Sequence, residues 1–147
     1  MTADTLALLK ANLEGMRKSV EWLRRSQEKC TRIGIKDGYT EEEFDAFENL
    51  ASRFARTIDI ITSRVLRSID AMELEDGGAL IDVINRAEKR GLVSSAQRIR
   101  DLKQLRNDIV HEYETDDLKD LFGQALEGAP ELFAMAERIV RYCGRFG

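Results

Sequence analysis

Three observations predict an all-α, up-and-down helical bundle of four to five helices. Apolar residues recur in steps of three and four along most of the chain. Only one proline and ten glycines interrupt 147 residues. No segment shows the strict alternation of a half-buried strand. The length suits one domain spanning 1–147, and 43% hydrophobic with 34% charged residues predicts a packed core.

The first helix is expected from about Asp4 to Cys30, where Leu6, Leu9, Leu13, Met16, Val20 and Leu23 form one stripe. GIKDG reads as a turn, and YTEEEF as a helix start. There Thr40 and Glu43 form a capping box and Tyr39 staples onto Phe44. The run Phe44, Phe47, Ala51, Phe54, Ile58, Ile61, Val65, Ile69 and Met72 predicts a long spine helix that ends near Gly77 and Gly78. A short helix follows, with Leu80, Ile81, Ile84 and Ala87 inward, and stops at Gly91. Ser94 with Gln97 is one capping box for the next helix, and Ser95 is the competing cap. That helix carries Ile99, Leu102, Leu105 and Ile109. Thr115, Asp116 and Asp117 open the last segment, which Pro130 is expected to break, with a hinge at 127–129.

A net charge of -4 excludes a chain built globally to attract nucleic acid, so a polyanion must meet a local basic patch. Cys30 and Cys143 form no metal-spaced cluster. One disulfide between them is conceivable, but isolated thiols in a helical domain are more often core or surface residues in a reducing compartment. The start lacks the pattern of a signal peptide, and no apolar run approaches the ~20 residues that span a bilayer. A cytoplasmic protein without a membrane contact is expected.

The stretch LRNDIVHEY, 105–113, holds the only histidine. On a wheel of about 100° per residue, Arg106 falls inside the apolar stripe together with Ile99, Leu102, Ile109 and Val110. A guanidinium there needs a partner or an opening to water. His111 lies about 140° round from Arg106, on the polar side near Gln104 and Asp108. The Asp108 carboxylate is placed to orient the ring. The two tips meet if arginine wraps round, if the helix loosens, or if a second copy completes the site; a twofold pair combined with a wrapping arginine is favoured.

Metal and serine-hydrolase chemistry lack their residue patterns, and no cofactor is expected. RNA cleavage fits better. An imidazole exchanges protons near neutrality, a guanidinium forks onto phosphoryl oxygens, and RNA carries its own nucleophile. Arg98, Arg100 and Lys103 precede the motif as candidate RNA-backbone contacts; the bland reading of that basic stretch is a solvated face.

The segment Arg106-Asn107-Asp108-Ile109-Val110-His111-Glu112-Tyr113 matches R-x4-H-x-Y. That is the signature of the HepT-like proteins of the HEPN superfamily, which the chain resembles over roughly 5–143. AEKRGLV, 87–93, looks like that family's AEKxGLI, and FENLASRFARTIDII, 47–61, looks like a helix of nucleotidyltransferase substrate-binding proteins. The resemblance implies a homodimeric helical bundle acting as a metal-independent endoribonuclease toxin of a type VII HepT–MntA-like toxin–antitoxin pair. It implies Arg106 and His111 as the catalytic pair and Asn107 or Asp108 as polar support. Tyr113 is then the hydroxyl that an MntA-like minimal nucleotidyltransferase modifies with AMP. The alternative is a non-catalytic substrate-binding or regulatory subunit of such a nucleotidyltransferase.

Overall fold

The computed structural model describes residues 2–75, 77–112 and 118–147. Among them the chain is all helical. The elements are α1 (Ala3–Ile33), α2 (Glu41–Ile60), α3 (Leu66–Met72), α4 (Leu80–Lys89), α5 (Ala96–Glu112) and α6 (Leu118–Cys143). Residues Ile61–Val65 form a π-helical turn that joins α2 directly to α3, so the expected spine is one helical run with a widened turn in it. The result is an up-and-down bundle in which α1, α2 and α6 pack on one another and α5 lies across α2 and α6.

Helix ends follow from local chemistry. Thr2 caps α1 by accepting from the Thr5 N–H at 3.1 Å, and the helix begins at Ala3, one residue before the expected Asp4. The predicted capping box of α2 forms, with Glu43 N–H on the Thr40 hydroxyl at 3.2 Å and Thr40 N–H on the Glu43 carboxylate at 3.0 Å. Tyr39 packs its ring on Phe47 at 5.0 Å and Phe122 at 6.1 Å, while Phe44 meets Phe122 at 5.3 Å, so the expected Tyr39–Phe44 staple takes the form of shared packing on Phe122.

The spine ends at Met72, ahead of the glycines expected to stop it. Leu74 takes the left-handed conformation at φ 59°, its N–H bonds the Ala71 carbonyl at 3.2 Å, and Glu75 N–H reaches the Asp70 carbonyl at 2.8 Å. This is a Schellman ending with leucine where glycine is usual. At the end of α4 the expected glycine serves: Gly91 has φ 75°, and Leu92 N–H bonds the Ala87 carbonyl at 3.0 Å. Ser95, not Ser94, caps α5, its hydroxyl accepting from Arg98 N–H at 3.2 Å. Glu88 closes the same turn by accepting from Ala96 N–H at 2.8 Å.

The core runs the length of the bundle, with Phe47, Phe54 and Phe122 fully buried at its centre. Three inward assignments fail, the first being Val140 of α6, expected to continue the packing of the last segment and 57% exposed. Ile81 is 48% exposed and Val110 46% exposed; Val83 takes the buried place on α4. Pro130 lies inside α6, where it removes one donor from the ladder, yet the helical path continues across it, so the interruption is a lost hydrogen bond rather than a turn. Next to it, Gly128 lets α6 approach α2 and α5 closely: a Cβ there would stand 3.0 Å from the Phe54 ring and 3.2 Å from Leu102. Cys30 and Cys143 are free and buried, and burial pushes each thiol up to about 11. No helix among the described residues is long and apolar enough to cross a membrane.

Candidate functional site

The α5 sequence buries Ile99, Leu102, Leu105 and Ile109 and so sets the orientation of everything else on that helix. Arg106 sits at the rim of this face rather than inside it, with its side chain 32% exposed. Its Nε donates to Asp59 of α2 at 2.9 Å, and Lys103, one turn earlier, donates its ammonium to the other Asp59 oxygen at 3.0 Å. One carboxylate therefore holds two cations. The demand that the wheel made of Arg106, a partner or water, is met by both. Arg106 also donates from Nη1 to the Asn107 side-chain oxygen at 3.3 Å, which places Asn107 beside the guanidinium.

These groups border an open groove of about 670 Å³ between α2 and α5. From α2 it takes Ser52, Arg56 and Asp59; from the π turn, Ser63 and Arg64; from α5, Lys103 and Arg106. The π turn shapes this wall. Leu66 N–H reaches back five residues to the Ile61 carbonyl, and Thr62 turns its hydroxyl to the Ile58 carbonyl at 2.8 Å. The extra residue accommodated there lies beside Ser63 and Arg64, both exposed. Widened turns of this kind recur at functional sites.

The remaining predicted residues fall elsewhere. His111 is exposed, and α5 stays helical through Glu112, so loosening of the helix before His111 does not bring it to Arg106. Five residues of regular helix keep the two side chains about 140° apart around the axis. Asp108 accepts from Gln104 at 2.9 Å, a competing partner for the carboxylate expected to orient the imidazole. Arg98 is drawn away by Glu131 of α6, to which it donates from Nε at 2.7 Å and through Nη2, and that carboxylate holds the guanidinium more firmly charged than usual. Arg100 is exposed and donates to Gln97 at 2.8 Å. Of the three candidate backbone contacts, only Lys103 borders the groove. Tyr113 and the Thr115, Asp116 and Asp117 helix start lie outside the described residues.

The sequence reading missed Asp59, Arg56 and Arg64. All lie on the spine, whose apolar stripe was read and whose polar face was not. Asp59 sits between buried Ile58 and half-buried Ile60, a signal that a carboxylate stands at the edge of a packed face.

In comparison with known proteins, no family model matches the chain, and neither a curated protein nor a solved structure does. The functional reading therefore rests on residues and geometry.

Proposed function

We propose that the protein is a metal-independent endoribonuclease toxin that works as a homodimer in the cytoplasm. The observation that carries the reading is the R-x4-H-x-Y spacing of the sequence, whose Arg106 and His111 lie on α5, with Arg106 facing a groove rich in cations and His111 open to solvent. Arg106 neutralises the phosphate undergoing attack. The 2′-oxygen bonds to phosphorus as the P–O5′ bond breaks. A neutral imidazole takes the 2′ proton, and a protonated imidazole returns one to the 5′ oxygen. A single chain has one histidine, so a twofold pair supplies both states and brings Arg106 of one protomer towards His111 of the other.

In this reading an MntA-like nucleotidyltransferase silences the toxin by adding AMP to Tyr113. The added phosphate puts bulk and negative charge beside the site where RNA phosphate must sit. One feature favours the alternative of a non-catalytic subunit of such a nucleotidyltransferase: Asp59 already neutralises the arginine that the nuclease needs.

Purified protein is expected to cut RNA in EDTA, and Arg106→Ala and His111→Ala are expected not to. Full activity in His111→Ala removes the mechanism, and stable complex formation without cleavage or toxicity selects the alternative. Incubation with the partner, ATP and Mg²⁺ is expected to add one or more AMP masses, and Tyr113→Phe to add none; an equal gain in Tyr113→Phe excludes that tyrosine.

A further inference from the structure

We infer that the π turn of the spine is the crest of a binding track for single-stranded RNA, with Arg56 and Arg64 as phosphate contacts beyond the cleavage site. The inference rests on the nuclease reading for the identity of the strand.

Charge is the first support. The chain carries a net charge of -4, yet the groove places Arg56, Arg64, Lys103 and Arg106 around the single carboxylate of Asp59. Lys103 and Arg106 are held by that carboxylate, whereas Arg56 and Arg64 are exposed and have no ion pair among the described residues. Two cations are thus fixed in place and two remain available, an arrangement for binding several phosphates rather than one. Exposed hydroxyls at Ser52 and Ser63 add donors along the same wall.

Shape is the second support. Ser63 and Arg64 border a second groove on the far side of the π turn, where Leu8 and Asn12 of α1 face Arg67 and Ala71 of α3. Leu8 is 58% exposed there. The two grooves meet at Ser63 and Arg64, so a ligand lying in one continues over the crest into the other. The first groove is cationic. The second mixes an apolar side chain with an amide and a guanidinium, a surface for the face and edge of a base. A strand alternating phosphates and bases fits this track; a free mononucleotide fills only one end of it. At the π turn Ser63 and Arg64 are exposed while Ile61, Thr62 and Val65 stay buried, so the two outward side chains stand between the grooves.

The test uses the 147-residue chain carrying His111→Ala, so that binding is read without cutting. A fluorescently labelled single-stranded RNA is titrated by anisotropy across salt concentrations from about 50 to 200 mM. Removing one phosphate contact from a single strand makes the slope of log K against log salt shallower by about 0.7. Arg56→Ala and Arg64→Ala are each expected to show that change and the double variant about twice it. Arg17→Ala, on an α1 surface ion-paired to Glu14 and Glu21, is expected to show none. Circular dichroism checks that the variants fold. An unchanged slope in the double variant overturns the inference even if the wild type cuts RNA. Absence of RNA binding, or binding of AMP alone, overturns it as well. A shallower slope in a protein whose wild type does not cut RNA supports the track and removes the nuclease reading instead.

Discussion

Asp59 binds Lys103 and Arg106 at 3.0 and 2.9 Å while remaining 34% exposed. Water screens such a cluster, so its worth to stability is under about 1 kcal/mol. Its effect on function is larger, because it fixes the direction of Arg106. Asp59→Asn is expected to leave the denaturation midpoint nearly unchanged, to tighten RNA binding by removing the one carboxylate among the groove's described residues, and to lower kcat by releasing the guanidinium. Steady-state kinetics check this through KM and kcat falling together; an unchanged kcat shows that Arg106 needs no such support. The sequence made Arg106 legible as a cation in need of a partner, but placed it inside the apolar stripe rather than at its rim and could not name that partner. Asp59 lies far away in the chain, and only the packing of α2 on α5 brings the two together. His111 was legible as a solvent-facing residue by the same counting of helical turns. The Cys30 and Cys143 thiols, raised to about 11 by burial, are on the order of one part in a thousand ionised at pH 8 and are not poised as nucleophiles.

At the scale of elements, starts were easier to read than stops. Thr40 with Glu43 and the serine cap of α5 depend on side chains that announce themselves, whereas the spine ends on Leu74, a residue with no such signature. A leucine in the left-handed region carries about 1–2 kcal/mol of steric strain. Leu74 is 74% exposed, so little packing is lost with its side chain. Leu74→Gly is accordingly expected to stabilise the protein by up to about 1 kcal/mol after the greater unfolded-state freedom of glycine is subtracted. Thermal unfolding checks the sign, and a lowered Tm shows that the leucine makes a contact worth more than its strain. The π turn was not legible either, because buried Ile58, Ile61, Val65 and Ile69 keep ordinary helical steps through it. Pro130 was legible as an interruption of the last helix, whereas the helix that runs on from it to Cys143, beside the close packing of α2 and α5 on Gly128, was not.

Across the whole molecule, one ionic knot ties the helix ends together. Asp70, 1% exposed, accepts from Arg86 Nε at 3.0 Å and Nη2 at 2.8 Å and also pairs with Arg90. Arg90 reaches Glu73 at 3.4 Å, and Glu73 accepts from the Tyr142 hydroxyl of α6. Removing one member of a buried pair leaves the others desolvated and uncompensated, at about 3–5 kcal/mol. Asp70→Ala is expected to destabilise by that amount in urea denaturation, while Glu14→Ala, on an exposed α1 pair, is expected to change stability by under about 0.5 kcal/mol. A loss below about 1 kcal/mol at Asp70 shows that water reaches the knot.

That knot bears on how the widened turn is carried. A π turn is an α-helix holding one residue more than its hydrogen-bond ladder requires, so the residues beyond it keep the angular phase that a plain helix one residue shorter would give them. Asp70 thus faces Arg86 and Arg90 as it would on a plain helical spine one residue shorter. Excising a single residue between Ile61 and Val65 would narrow the turn beside the groove and spare the register downstream, which makes the extra residue a detachable insertion in the frame rather than a member that the frame needs in order to stand.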